Sequence, residues 1–492
     1  PTRIDPPKGH SLRHPTSEGG TKMTAEYDKM VKGSYEKFIK AIQPKPDTPV
    51  YKGPLAPDPM SYEYPLIQWD DYSYAKGTHT QAVDWDENIN YERMRNYRLE
   101  RVRKQLEAFK VGAILSLNEW NTRYITGTWT PQWTTPNSGL RYCLFAGNAK
   151  GPILYENAEI GYHMRQMCPW LDKVKVAITG TGWSSIIMGK EAQRKQREKF
   201  VKQIAEDLKS YGMHKEPLAL DFADPGILEA FEAAGIKTSL VGQELMFQAR
   251  KIKNRDEIEC LRVACAIGDA QMKAARDMMR PGVRENEIVG QMHKVAYDLG
   301  GEVYNGIFCT SGPFSWPNPR HTLSNRILRP GELVYVDVYN TSYMGYKICY
   351  YRTFCLGKPT QLMKDMYARA LDWLYASISV IKPGVTTREV AEKWPVSEHV
   401  WSDILIKHED QTAGSNWMHG IGLTLYELPL AWREVSLEYP LVLEKDMTFA
   451  IETQLGTIGV GGVRIEEVIR ITENGVEILS KWPIDQITVV DY

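Results

Sequence analysis

Two octapeptides decide how this chain is read: Arg280-Pro-Gly-Val-Arg-Glu-Asn-Glu287 and Lys382-Pro-Gly-Val-Thr-Thr-Arg-Glu389. Each places a basic residue before Pro-Gly-Val and a Glu four positions beyond the Val. Each also follows a long amphipathic helical pattern and precedes another. On one reading the Pro-Gly pairs merely punctuate two helix ends. On the other, they mark two similar halves that face each other, giving a pseudo-twofold domain with a pocket between them.

The stretches downstream of each octapeptide carry the candidate chemistry. After the first, Pro330-Gly331 turns the chain into a strand over Leu333–Tyr339, on which Tyr335, Asp337 and Tyr339 share one face by period two. A second strand, running from Gly345 to Phe354, is expected to pair with it, bringing Cys349 near Asp337 and Tyr339. Taken alone, Cys349 reads more readily as a small buried apolar residue than as a ligand. Arg352 reads as a buried cation paired with a carboxylate, with a substrate clamp as the alternative. After the second octapeptide comes Trp417-Met-His-Gly-Ile-Gly-Leu423, followed by Glu452 and Glu466, each at the end of a β-like apolar run. One His and two Glu suit a divalent metal, or an acid/base set if no metal is present. The bland alternative is a His in a glycine turn with two solvated carboxylates. The run Gly456-Thr-Ile-Gly-Val-Gly-Gly462 leads into a strand rather than a helix, so it reads as a hairpin turn and not as a phosphate loop. Ser311-Gly312-Pro313 lacks the G-x-S-x-G context of a serine nucleophile.

Upstream, residues 91–245 alternate strands with helices and read as an α/β domain. The expected strands are Gly112–Leu117, Leu140–Phe145, Pro152–Tyr155, Val174–Thr179 and Leu218–Asp221, with helices at Lys190–Tyr211 and Gly226–Ala234. A charged, strongly helical stretch follows Phe247 and continues to about Met279, and the boundary of a third segment, 246–492, is set just before it. Residues 1–90 are broken by repeated prolines around one helical stretch at Thr24–Ile42, and read as an extended arm lying on this or a neighbouring subunit. The 492 residues are enough for two or more domains with cores of their own. Lys and Arg number 60 against 61 Asp and Glu, which leaves no electrostatic footprint for nucleic acid or an anionic membrane. No apolar run reaches the roughly 20 residues of a spanning helix. The opening Pro1 reads as a processed or trimmed end. An odd number of irregularly spaced cysteines, seven in all, argues against a disulfide framework and for a reducing, cytoplasmic setting.

Taken together, His321, the strand to Asp337, Gly345-Tyr346…Arg352-Thr-Phe354, Met418-His-Gly-Ile-Gly-Leu with Glu427 and Pro429, Glu452, and Arg464-Ile-Glu466-Glu467 resemble the creatinase/methionine-aminopeptidase superfamily. The nearest likeness is to dimethylsulfoniopropionate lyases of the DddP type, which share the long arm, a Ser-Gly-Pro segment and Met-His-Gly-x-Gly-Leu. The resemblance implies an α/β (α+β) protein, with a small N-terminal α/β domain and a C-terminal pita-bread domain that is usually dimeric. It implies His321, His419, Glu452 and Glu466 as catalytic residues, and Tyr339, Tyr426 and Arg352 as substrate-binding residues. The metal ligands would come from His419, Glu452, Glu466, Cys349 and Asp337. This sequence departs from the family's two-metal pattern, whose Asp positions align with Tyr339 and Cys349. Losing bridging carboxylates makes a dinuclear centre unfavourable. One divalent ion (Zn or Fe) or no metal at all are the two alternatives left. The function implied is a hydrolase or lyase cleaving a C–N or C–S bond in a small molecule. A non-catalytic subunit partnering a homologous chain is the second reading, and an Xaa-Pro dipeptidase the third.

Overall fold

A computed structural model describes residues 88–129, 137–303, 306–317, 324–404 and 417–492. The arm, its helix at Thr24–Ile42, and His321 lie outside the described residues. Helix α1 (Tyr91–Ala108) buries Met94, Leu99, Val102 and Leu106 along one stripe and is started by the Asn90 side chain, which accepts the Arg93 N–H. There follow β1 (Ala113–Ser116), α2 (Glu119–Thr126), β2 (Tyr142–Ala146), β3 (Ile153–Glu156), α3 (Ala158–Met167), β4 (Lys173–Val176), α4 (Lys190–Ser210), β5 (Leu218–Leu220), α5 (Pro225–Ala233), β6 (Thr238–Ser239) and α6 (Gly242–Arg250). The strands form a six-stranded sheet ordered β4-β3-β2-β1-β5-β6. All five expected strands are present, their ends shifted by up to three residues. Helices α2 and α3 were not anticipated; at 8 and 10 residues each is too short for a helical period to stand out.

The remainder is built twice. The first half runs α7 (Arg255–Met278), α8 (Glu285–Asp298), β7 (Glu302–Val303), β8 (Phe308–Ser311), β9 (Leu333–Asp337), β10 (Thr341–Tyr343), β11 (Tyr346–Lys347) and β12 (Tyr351–Leu356). The second runs α9 (Gln361–Ile378), α10 (Thr387–Ala391), β13 (Trp417–Gly420), β14 (Glu427–Trp432), β15 (Thr448–Thr457), β16 (Gly461–Ile471), β17 (Val476–Ile478) and β18 (Thr488–Val490), the last of which returns to pair with β12. The two half-sheets are ordered β18-β12-β9-β8 and β14-β13-β15-β16-β17.

The backbone hydrogen bonds show that the halves are equivalent. Gly282 N–H donates to Leu328 O at 3.0 Å, and Gly384 N–H to Leu443 O at 2.9 Å. Leu328 N–H returns to Val283 O, and Leu443 N–H to Val385 O. The repeated Glu of the two octapeptides performs the same task in each, since Glu287 accepts the Arg284 N–H at 2.8 Å and Glu389 the Thr386 N–H at 3.0 Å. These reciprocal contacts start the helices that follow. Each central strand is entered through a left-handed residue, Gly331 at φ 77° and Asp446 at φ 65°. Each of these donates to the end of its half's last paired strand, Gly331 to Leu356 O and Asp446 to Ile471 O. The repeat read in the sequence is therefore structural, and the Pro-Gly pairs do more than end helices.

Candidate active site

The register of the half-sheets builds the site. On β9, Asp337 pairs with Tyr351 of β12 and with Phe308 of β8. On β15, Glu452 pairs with Glu466 of β16 and with Trp417 of β13. Asp337 and Glu452 are thus the same position in the two halves, as are Phe308 and Trp417, and Tyr351 and Glu466. Stepping back two residues from the last pair matches Cys349 with Arg464. The internal symmetry makes Asp337 the first-half counterpart of Glu452. Tyr339 lies beyond the end of β9, because Asp337 Oδ1 accepts the Tyr339 N–H at 2.8 Å and turns the chain.

Three side chains converge. Donor atoms of Cys349, His419 and Glu466, all buried, lie within 4.8 Å of one another. Cys349 Sγ is 3.4 Å from Glu466 Oε2 and 3.8 Å from Asp337 Oδ1. His419 Nε2 stands 3.7 Å from Glu466 Oε1, an oxygen that is buried and accepts no hydrogen bond. His419 is aimed inward by a β-bulge, where the register of β13 against β14 shifts between His419 and Gly420. The two glycines of the motif are steric requirements: a Cβ on Gly420 would lie 2.7 Å from Glu427 O, and one on Gly422 2.6 Å from Glu427 Oε2.

The electrostatics are those of an acidic pocket short of positive charge. Burial, then Glu452, pushes the Glu466 carboxyl well above the usual range. Burial, then Glu466, does the same to Asp337, and burial with Asp337 raises the Cys349 thiol. Burial holds the His419 imidazole neutral, below its ordinary value. Each of these is the response of an anion, or of a ring nitrogen, removed from water.

The structure separates other expected residues from this cluster. Glu452, expected among the metal ligands, gives both oxygens to Arg464, at 3.0 and 2.9 Å. Arg464 also lies 4.1 Å over the Tyr351 ring, so a buried guanidinium already neutralises this carboxylate. Arg352, read from the sequence as a buried cation paired with a carboxylate or, alternatively, as a substrate clamp, is spent on the chain itself. It donates to Glu467 at 2.8 Å and to Trp482 O at 2.9 and 3.1 Å, and its remaining bonds run to Tyr351 O and Glu466 O. It is a structural cation. Tyr339 packs edge-on against Phe308 at 5.6 Å, and Tyr426 covers His419 with ring centroids 4.7 Å apart. Trp417 stands 5.8 Å from Tyr426 and 5.7 Å from His419. Aromatic rings from both halves therefore border the cluster.

A pita-bread pair of half-sheets, preceded by a smaller α/β sheet and enclosing a buried His, Glu and Cys, defines the class of protein. Residues 259–473 match the family described as metallopeptidase family M24, which supports placing the chain in that superfamily. The Xaa-Pro dipeptidase of Pyrococcus furiosus is 28% identical over 254 residues, spanning 51% of this chain and 69% of the relative. That of Pyrococcus horikoshii is 27% identical over 300 residues, 60% of this chain and 81% of the relative. Among solved structures, an Xaa-Pro dipeptidase from Bacillus anthracis superposes with a TM-score of 0.61 at 22% identity, covering 80% of this chain and 99% of its own. An X-Pro aminopeptidase from Thermotoga maritima gives 0.62 at 20%, with the same coverage. At those identities the superpositions show the fold, which is the pita-bread arrangement expected from the sequence.

Proposed function

We propose that this chain is a hydrolase of the M24 type that cleaves a C–N bond in a small peptide-like substrate, in the pocket between the two halves. The observation that carries this reading is the buried convergence of Cys349, His419 and Glu466 around a carboxylate oxygen with no partner. Leaving such an acceptor unsatisfied is costly, and the cost is understandable where a ligand or reactant completes it. The names of the relatives favour an amide bond, so the dipeptidase reading ranked last from sequence moves forward. The C–S lyase alternative rests only on the motifs quoted from the sequence.

The donor set fits one divalent ion better than two. A thiolate, an imidazole nitrogen and a carboxylate form a three-residue set of the zinc type, with Asp337 adjacent. A second ion would need Glu452, which Arg464 already occupies. A bound ion supplies Lewis acidity toward a carbonyl and lowers the pKa of a water. Around it, Glu466 Oε1 accepts a proton, neutral His419 holds its Nε2 lone pair toward the cluster, and Tyr426, Trp417 and Tyr339 confine the substrate and exclude water. His321 is retained as a proton shuttle in this proposal. Assembly as a homodimer belongs to the same reading and is checked by light scattering.

The test is metal analysis combined with a panel of Xaa-Pro dipeptides. The purified protein is expected to hold about one equivalent of divalent metal per chain, the occupancy of a single three-ligand site. Cys349→Ala and Glu466→Gln should each lose most of it while remaining folded. A folded protein that takes up no zinc, iron or manganese and hydrolyses no member of the panel would sink the proposal and favour the non-catalytic subunit.

A further inference from the structure

Tyr426 sits on the short loop between β13 and β14, and that loop is held from outside the site. The Lys347 N–H donates to Gly422 O at 2.7 Å, and its Nζ donates to Leu423 O at 2.7 Å and to Gly345 O at 3.3 Å. The same Nζ lies 3.3 Å from the centroid of the Trp120 ring on α2. A second contact comes from α6, where Arg250 donates to Asn121 Oδ1 at 2.8 Å and to Thr424 Oγ1 at 3.1 Å. Thr424 Oγ1 in turn donates to Tyr426 O at 2.9 Å. Lys347 is only 3% exposed. A lysine is an expensive way to fill such a space, and an apolar side chain would pack there at lower cost. What lysine supplies is donors for carbonyls that would otherwise be left without partners.

We infer that Lys347, seated on Trp120 of helix α2, is a positioning residue: it fixes the loop Gly422–Tyr426 and thereby keeps Tyr426 over His419 and Cys349. This rests on the preceding reading that Tyr426 faces the substrate. It assigns the N-terminal domain a part in the reaction without any atom of that domain touching the reacting bond. Besides Gly422 N–H to Thr424 O at 3.1 Å, the loop is tied at Ile421, whose N–H donates to Thr448 O at 3.1 Å, and at Thr424, whose N–H donates to Glu427 Oε1 at 3.2 Å, so Lys347 adds the hold on its Gly422–Leu423 segment.

Two readouts test the inference. In chelator-treated full-length protein, alkylation of each cysteine by iodoacetamide is followed by peptide mass spectrometry. Cys143 and Cys260, each 0% exposed, report global opening. Lys347→Met should accelerate Cys349 alkylation about tenfold, as expected for losing the one side-chain hydrogen bond, from Nζ to Leu423 O, that ties this residue to the loop, while Cys143 and Cys260 keep their wild-type rates. Thr424→Val should act in the same direction and replaces Lys347→Met if that variant does not fold. In dipeptide hydrolysis, Lys347→Met should lower kcat more than it changes KM. Its effect should largely vanish in a Tyr426→Ala background, which removes the ring, because residues acting through one another are non-additive. An unchanged Cys349 rate, or equal acceleration at all three cysteines, overturns the inference, as does full additivity with Tyr426→Ala. Absence of dipeptide hydrolysis counts against the proposed function alone, since the alkylation experiment needs no substrate.

Discussion

Arg464 and Glu452 form a bidentate pair that is almost wholly buried, with side-chain exposures of 8% and 3%. A buried pair of this kind adds little net stability over an apolar substitute, but removing one partner strands the other. Arg464→Met is therefore expected to cost about 3–5 kcal/mol in chemical denaturation, the range for an uncompensated buried charge. Glu452→Gln, which removes the charge and keeps the shape, should cost less than Arg464→Met; the reverse order would show that Glu452 has another partner. At this scale the sequence was partly legible. His419 and Glu466 stand out by their motif and strand ends, and pairing of two expected strands was enough to bring Cys349 toward Asp337. The capture of Glu452 was missed, although the signal was there: Arg464 shares a face with Glu466 by period two, one step along a hairpin from Glu452. Arg352 and Arg464 look alike as isolated letters, and only coordinates show which guanidinium meets which carboxylate.

The β15–β16 hairpin carries the acidic residues on one face, and a tryptophan lies flat on its outer end. A Cβ on Gly456 would come within 2.3 Å of the Trp316 ring, and one on Gly462 within 3.0 Å. Trp316 stacks in turn on Trp401, with centroids 4.6 Å apart, and its indole N–H is held by Asp403 at 2.9 Å. Gly456→Ala should push the indole off the strand, destabilise the protein by about 1–3 kcal/mol as overpacking does, and alter tryptophan emission. Unchanged emission and stability would mean the ring moves freely. The sequence revealed the hairpin through its glycines but not the reason for them, since the ring that requires Gly456 comes from a segment far away in the chain. Helix α2 was missed for a related reason: Arg123, Asn121 and Thr122 face the interior as polar groups, so its buried side has no apolar period to read.

Where helix α6 and the residues just after it meet the second half-sheet, the joint is ionic. Glu427 accepts from Lys253 at 2.9 Å and lies 3.3 Å from Arg250, all of them buried. Burial alone would raise the Glu427 carboxyl, but Lys253 and Arg250 together hold it below its ordinary 4.5. The folded state thus binds fewer protons than the unfolded chain near that pH. The stability this supplies is fully present above about 4.5 and is lost as pH falls through the lower folded value. Unfolding midpoints measured from pH 7 down to pH 3 should fall through this window, and Glu427→Gln, already destabilised at neutral pH, should show a shallower fall. Equal slopes in the two proteins would place the acid sensitivity elsewhere. The order of elements and the doubling of the half-sheets were legible because helix stops, strand runs and the two octapeptides follow local rules. The ionic joints between distant segments were not, because charge partners leave no periodic trace.

The doubled architecture also separates two properties that usually travel together. In the second half the strand-centre carboxylate Glu452 has its counter-charge built in, on Arg464, so that carboxylate needs nothing from outside to be balanced. In the first half the matching position holds Cys349, which offers a lone pair and no charge. Whatever balances Asp337 and Glu466 must be taken up from solution, as protons or as a metal cation. The polypeptide can therefore be synthesised, folded and long-lived while its chemistry waits on the local supply of an ion, and competence becomes a property of the surroundings as much as of the gene.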